Sequence, residues 1–574
     1  METDLKTTKK SLRLWPGIII VALQWFLRYA LPEISPDAIM IAVLSGILGG
    51  LAVIVWWAFF SRAPRFERWF AIVLMIAAFL GTAQILDKSI ATANMGLMFT
   101  IFSIPVLSLG FVVWAVVTRN LSLMVRRITM FAAIILATGF WGLLRTKGMT
   151  GQNHHEFAWR WSKTAEEEML TKQGEAMANV NIDSTLMAGE PEWPGFRGAN
   201  RDGIIHGLKI EADWKKSPPA EIWRRKIGPA CSSFSVHGIL LYTQEQRGEF
   251  EEVSCYNIKT GEPIWRHQDS ARFWDSHAGA GPRSTPTLYK NRVYTLGATG
   301  ILNALDAYTG KLIWTRNAAA DTKVTIPGWG YTSSPLIVDS MVLIAISGQI
   351  LAYDNNSGKL LWTGTDGGES YSSPHLVTID GEKQVLFVNK NQFTSYSIED
   401  GKELWKIAQN GPPILQPSLI ANNTLLLSEA SETGGKGMIC VNISNKSGKW
   451  AVNEQWKSRR MRPYFNDFIY HKNFIYGFEG PSLTCIDATS GELKWKGDRY
   501  AGEILLLADQ DLLIVLTEQG EIALVKANPL GFNEIYKFQA IEGKTWNHPV
   551  LVNDILVVRN AEEMAAFRLA VQGT

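Results

Sequence analysis

Three arginines, Arg247, Arg283 and Arg559, fall in loops where a guanidinium fork would hold a carboxylate by paired hydrogen bonds. Glu245, Asn466 and Asn547 supply hard oxygen donors of the kind that Ca²⁺ takes. Asp467 and His548 are candidates for a general base that takes a proton from an alcohol. Trp274, Trp329, Tyr371 and Trp546 offer flat faces against which a planar ring would stack. Together these types describe a site for a planar, carboxylated group with a cation beside it and a base at hand. A plainer account stands next to that one. Ser-Ser-Pro segments satisfy backbone groups at strand starts, loop aromatics pack between sheets, and Asn or Asp near turns bonds its own backbone.

These residues span more than half of the chain, so the fold must bring them together. A repeated phrase supplies the means. YNIKTGEPIW ends at Trp265, LDAYTGKLIW at Trp314, YDNNSGKLLW at Trp362, YSIEDGKELW at Trp405 and IDATSGELKW at Trp495. Each copy reads as an apolar strand, a turn with Gly, and a second strand that carries Trp at a constant register. Trp456 and Tyr536 end weaker copies. Trp223 has the Trp strand without the preceding turn strand, and its partner is expected in EMAAFRL, Glu563–Leu569, which closes a ring. The aromatic returns every 39 to 51 residues from Trp223 to Tyr536, the period of a four-stranded blade. The expectation is an eight-bladed β-propeller in which first and last strands share a blade. In such a ring the starts of the inner strands converge on one face. They read CSSFSV, GPRSTPTL, GYTSSPLI, SYSSPHLV, LQPSLI, YFNDFIY, GEILLLA and TWNHPVLV. Glu245 to Arg247, Asn391, Glu429, Glu479, Glu518 and Arg559 open on the same face from the second strands.

The phrase resembles the tryptophan-docking repeat of the pyrroloquinoline quinone (PQQ)-type propellers, over about Glu192–Leu569. That family includes quinoprotein alcohol and glucose dehydrogenases and a non-enzymatic outer-membrane assembly lipoprotein. The resemblance therefore implies the fold strongly and the activity weakly. A bound PQQ with Ca²⁺ would use all the chemistry above: Arg247, Arg283 and Arg559 on its carboxylates, Trp329, Tyr371 and Trp546 on its ring, and Glu245, Asn466 and Asn547 on the metal. Two features depart from the dehydrogenases. There is no adjacent Cys-Cys pair, and the propeller leaves little room for the loops that build their active sites.

Five apolar stretches precede the propeller, at about Pro16–Leu31, Ala38–Phe60, Trp69–Leu86, Gly96–Val117 and Ile128–Leu144. Most approach the roughly 20 residues that span hydrocarbon. Lys6, Lys9, Lys10 and Arg13 precede the first. Arg62, Arg65 and Arg68 follow the second, and Arg119, Arg126 and Arg127 follow the fourth. The alternate loops are poor in positive charge. The expected topology is a bacterial inner-membrane protein with a cytoplasmic N-terminus and a periplasmic propeller. Gly46 and Gly50 form a GxxxG pair read as internal packing, and Arg28 is read as snorkelling from an outer helix end.

The expected division is a transmembrane five-helix domain at 1–145, a periplasmic linker at 146–191 with a short helix, and the propeller at 192–574. In the linker, Thr164 and Glu167 have capping-box spacing, and His154-His155-Glu156 lacks the second ligand cluster a metal site needs. A formal net charge of +2 argues against nucleic acid. Cys231, Cys255, Cys440 and Cys485 all lie in the propeller; Cys255, Cys485 and nearly Cys440 hold equivalent strand positions in different blades, and buried thiols rather than disulfides are expected. Beyond the lipid bilayer, the partners depend on the reading. A quinoprotein-like dehydrogenase would oxidise a small alcohol or sugar and feed ubiquinone. A scaffold similar to the assembly lipoprotein would bind envelope proteins. An open, aromatic-floored pocket ringed by arginines favours the enzyme; a plugged channel with an exposed apolar rim favours the scaffold.

Overall fold

The computed structural model describes residues 12–35, 38–151, 155–171, 189–409, 418–421, 423–431, 434–464 and 466–572. Lys6, Lys9, Lys10, His154 and Gln416 lie outside them. Two compact units emerge, one of helices closed by a small hairpin and one that runs from Lys163 through the propeller.

Among the described residues five helices are long and apolar enough to cross a membrane: Trp15–Ile34, Met40–Phe60, Arg65–Ala83, Met98–Val117 and Leu123–Leu143. Small residues set their contacts. A Cβ on Gly50 would lie 2.2 Å from Ile104 Cγ2, and one on Gly46 would lie 3.3 Å from Pro105 Cγ. The GxxxG pair therefore packs inside the bundle against Met98–Val117. Arg126 and Arg127 meet the buried carboxylate of Glu67 at 3.1 and 3.8 Å, which puts the two arginine-rich loops at one end of the unit. Arg28 departs from expectation. It is only 7% exposed, with its guanidinium 5.0 Å over Phe102, instead of reaching outward.

The hairpin Leu144–Met149 and His155–Trp159 belongs to the helical unit, so the expected linker is split between the two units. Within it His155 faces Asn94 at 3.4 Å, and Glu156 meets Lys147 at 3.6 Å. The short helix Ala165–Thr171 starts at a reciprocal cap: Thr164 N donates to Glu167 Oε2 and Glu167 N to Thr164 Oγ1. Arg272 and the Gly248 N–H both reach Glu166, which ties this helix to the propeller.

The propeller has eight blades. Seven are built from consecutive antiparallel strands, and one of these gains a fifth, parallel strand at Ile204–Ile205. The eighth joins Val550–Val552, Ile555–Arg559 and Glu563–Arg568 to Ala220–Lys226, with Ala566 opposite Trp223. Ring closure is thus the predicted pairing of chain ends.

The repeated phrase has two physical causes. Within a blade, an Asp at the end of the third strand organises the turn: Asp306 Oδ1 accepts from the Thr309 N–H and hydroxyl, and Asp354 does the same for Ser357. Between blades, Trp223, Trp265, Trp314, Trp362 and Trp456 each lie under the glycine of the next turn. A Cβ on Gly261 would lie 2.7 Å from Trp223, one on Gly310 2.3 Å from Trp265, and one on Gly401 2.4 Å from Trp362. The indole N–H then donates past that turn, as Trp265 to Ala307 O at 3.0 Å and Trp314 to Asn355 O at 3.0 Å. Trp405 shows why the next turn matters. The following blade has the long hairpin Gly434–Lys446 and Lys449–Ser458 instead of the short turn, and Trp405 bonds Gln384 of its own blade. Opposite the aromatics stand small residues, among them Cys255, Cys440 and Cys485. These three thiols are buried; Cys231, on a loop, is half-buried, and all four are free.

Candidate functional site

The inner strands start at Ser235, Thr287, Leu336, His375, Ser418, Ile469, Glu503 and Val550. A segment that the sequence reading did not single out, WPGFRGANRDGII (Trp193–Ile205), runs across this ring. Trp193 exchanges backbone hydrogen bonds with Val236, Leu288 N donates to Pro194 O, and Leu506 N donates to Gly203 O. Arg201 points into the ring, where Nη1 donates to Ser334 O at 3.3 Å and Pro374 O at 3.1 Å, and Nη2 reaches Pro335 O. Arg197 donates to Phe468 O at 3.0 Å and meets Asp467 at 3.4 Å. Both arginines have φ near +58°. An L-residue enters that region at about 1–2 kcal/mol, which these hydrogen bonds offset. Burial lowers Arg201 to about 9, so it remains a cation at neutral pH. The two arginines thus tie this segment to the starts of three inner strands. The available signal was a pair of arginines bracketed by glycines, but their targets lie 133 to 271 residues away.

Asp467 and His548 do come together. His548 Nε2 lies 2.9 Å from Glu503 and 3.5 Å from Asp467, and its ring meets Phe196 edge-on at 4.8 Å. Burial opposes charge on His548, but the Glu503 and Asp467 carboxylates outweigh it and raise the ring to about 9. At neutral pH it is a buried imidazolium that bridges two acids, already protonated and unsuited to taking a proton. Its stabilisation is complete below the unfolded ring's pKa near 6.5 and is lost as pH rises through about 9. Relative to His548→Gln, wild type is expected to lose about 3 kcal/mol between pH 6.5 and 10. Unfolding temperatures across that range check this; a constant difference between the two proteins contradicts it.

The three arginines expected to bind carboxylates are occupied. Arg283 Nη2 donates to Asp275 at 2.5 Å and Gly279 O at 2.6 Å, Nη1 to Ala280 O at 3.3 Å and Nε to Trp329 O at 3.4 Å. Arg559 is fully buried and donates to Thr243 Oγ1, Gln244 O, Gly228 O and Asn560 O. Arg247 lies between Glu245 at 3.2 Å and Glu252 at 3.3 Å. Glu245, the proposed metal ligand, is also spent. Oε1 accepts from Ser254 at 2.6 Å and Tyr256 at 2.5 Å, and Oε2 from Gly228 N at 2.7 Å. Burial alone would raise its pKa, but Arg247 and the two hydroxyls hold it at about 2. Asn466 donates to Gly502 O, and Asn547 donates to Ala230 O and Ser232 O, so both amides tie loops to each other.

The aromatics do not form a slot. Trp329 and Tyr371 pack on each other with centroids 4.6 Å apart, which leaves no room for a third ring, since an intercalated plane needs about 7 Å. Trp546 is elsewhere, donating to Glu518 at 2.6 Å with Lys544 Nζ 4.0 Å over its face. Trp274 starts a two-residue strand paired with Gly279–Ala280. A tricarboxylate quinone with calcium requires free guanidinium donors, free carboxylate oxygens and a gap between flat faces. The expected residues do not fit that group, because their polar atoms already bond one another. Among the described residues no group of three or more His, Cys, Asp or Glu has metal-binding geometry.

The fold defines a class: an eight-bladed propeller of the PQQ-repeat type, preceded by five apolar helices. The family described as "Outer membrane protein assembly factor BamB" matches residues 249–496. The chain is 27% identical over 330 residues to that assembly factor from Shewanella oneidensis, a match that covers 53% of this chain and 76% of the relative. It is 29% identical over 213 residues to quinohemoprotein alcohol dehydrogenase ADH-IIG of Pseudomonas putida, covering 31% of this chain and 29% of that enzyme. Among solved structures, the quinohemoprotein alcohol dehydrogenase of Comamonas testosteroni aligns at a TM-score of 0.48 and 14% identity, over 69% of this chain and 83% of that one. In sequence the chain is similar, over part of its length, both to assembly factors and to quinohemoprotein alcohol dehydrogenases.

Proposed function

We propose that this is a multi-pass inner-membrane protein whose periplasmic propeller is a non-enzymatic scaffold for another envelope protein. The observation that carries this reading is the internal saturation of Arg283, Arg559 and Glu245, with Arg197 and Arg201 likewise bonded to backbone carbonyls at the inner-strand starts. Charge that would have to face a cofactor instead welds blades together. Two apolar side chains on the side where the inner strands start are exposed, Phe250 at the tip of a hairpin by 41% and Ile326 on a loop by 47%. Exposed apolar side chains beside a rigid scaffold suit protein binding. The arginine-rich loops gathered at the Glu67 end support a cytoplasmic placement of that end. The dehydrogenase reading draws its support from the quinohemoprotein relatives, whose match covers about a third of this chain.

Calorimetric titration of the purified full chain with PQQ, with and without Ca²⁺, separates the two. The expected result is no saturable binding up to about 100 μM quinone. Calcium-dependent binding at micromolar affinity would overturn the scaffold reading. A photo-reactive side chain at Ile326 is expected to cross-link to a polypeptide in intact cells, whereas one at buried Val557 gives no adduct.

A further inference from the structure

Among its described residues the helical unit has two buried arginines, and they are treated differently. Arg126 has Glu67 at 3.1 Å. Arg28 meets no carboxylate among the described residues, and its Nε has no hydrogen-bond partner. It lies within the apolar span Trp15–Ile34, six residues from the end, or about 9 Å along the axis. The backbone there is built around it. Phe26–Ala30 forms a π-turn, a feature frequent at functional positions. Gly46 on the neighbouring helix lies against the side chain, a Cβ there being at ordinary contact distance, 3.6 Å, from Arg28 Cδ. Phe102 and Tyr29 contribute ring faces at 5.0 and 5.4 Å, which hold a guanidinium but do not neutralise it. One turn away Gln24 donates to Gly46 O at 2.7 Å, while its buried Oε1 accepts from no group. Unsatisfied polar atoms in hydrocarbon are costly, and an unpaired charge more so.

We propose that Arg28 is a binding site for one phosphate-bearing anion, and that its occupant is the phosphodiester of an anionic phospholipid seated against Phe102. The planar fork of arginine matches phosphate oxygens, and a depth of about one and a half helix turns from the span end suits a headgroup phosphate drawn slightly inward. This inference rests on the membrane-spanning reading, which alkaline extraction of membranes tests by itself.

The experiment is native mass spectrometry of the full chain released from nanodiscs that contain equal phosphatidylglycerol and phosphatidylcholine. Wild type is expected to retain phosphatidylglycerol about tenfold over phosphatidylcholine, a preference of about 1.4 kcal/mol. Arg28→Gln is expected to lose that preference and Arg28→Lys to keep most of it. Inorganic phosphate at millimolar concentration distinguishes the sources: lipid retained in its presence identifies the headgroup, and lipid displaced by it identifies a free anion as a competing occupant of the same site. Equal retention of the two lipids by wild type overturns the proposal without reference to any variant. So does an undiminished preference in Arg28→Gln. A chain that alkaline treatment strips from membranes instead refutes the spanning reading.

Discussion

Replacing Gly310 by alanine is expected to cost the propeller about 3 kcal/mol or more, although the change adds a single methyl group. Two penalties combine. Gly310 has φ +68°, a left-handed conformation worth about 1 kcal/mol against an L-residue. Its Cβ would also stand 2.3 Å from Trp265 Cε3, inside any tolerable contact. The turn cannot retreat, because Gly310 N donates to Asp306 O and Asp306 also binds Thr309. Trp265 must therefore leave its seat, giving up its hydrogen bond to Ala307 O and part of its burial, a loss on the scale of a large-to-small aromatic substitution. Gly381 supplies the internal control. It has φ +79°, but no atom lies within 4 Å of its Cβ position. Gly381→Ala should cost about 1 kcal/mol, the conformational penalty alone. Denaturant unfolding of the three proteins, followed by tryptophan fluorescence, measures both. Equal losses in the two variants would mean that inter-blade docking contributes nothing beyond the turn conformation.

The second large effect is at Glu245. Glu245→Ala is expected to destabilise the propeller by about 4 kcal/mol, because it orphans the Tyr256 and Ser254 hydroxyls and the Gly228 N–H and strips one partner from Arg247. Glu245→Gln keeps an acceptor and should lose about half as much. The linkage has a definite sign. The folded pKa of about 2 lies below the ordinary value of 4.5, so the stabilisation is present above 4.5 and fades as pH falls toward 2. Wild type should therefore lose its advantage over Glu245→Gln on acidification, read as converging unfolding temperatures between pH 5 and about 2.5. A metal ligand would behave otherwise: chelator would mimic the substitution. Sensitivity of wild type to chelator at pH 7 would reinstate a cation at this position.

How legible each feature was in the sequence follows from the range of the interactions behind it. The eight blades and the closing strand were readable because strand, turn and Trp sit within ten residues, and Trp223 opposite Ala566 completes the same local pattern across the chain ends. The constant register also carried inter-blade information, since the turn glycine answers two demands at once: positive φ and the indole face of the preceding blade. The five apolar helices and the Thr164–Glu167 cap are local in the same way. Convergence of His548, Asp467 and Glu503 was readable as well, because strand order fixes which loop residues line one face.

What those residues do there was decided by tertiary structure. Hydrogen-bonding capacity is finite, and whether Arg283 or Arg559 has a donor to spare depends on which carbonyls the folded loops present to it. Asp275 and Gly279 reach Arg283 through a turn with no repeat signature and Trp329 from the entry loop of the next blade, while Arg559 finds Gly228 and Gln244 more than 300 residues back. Arg201 meets Ser334 and Pro374 only once the blades that begin at Leu336 and His375 stand side by side. Residue types in the sequence specified charges, rings and oxygens facing one axis. The closed ring determined that they bond one another, because buried polar atoms must be paired and the nearest partners were already in the protein.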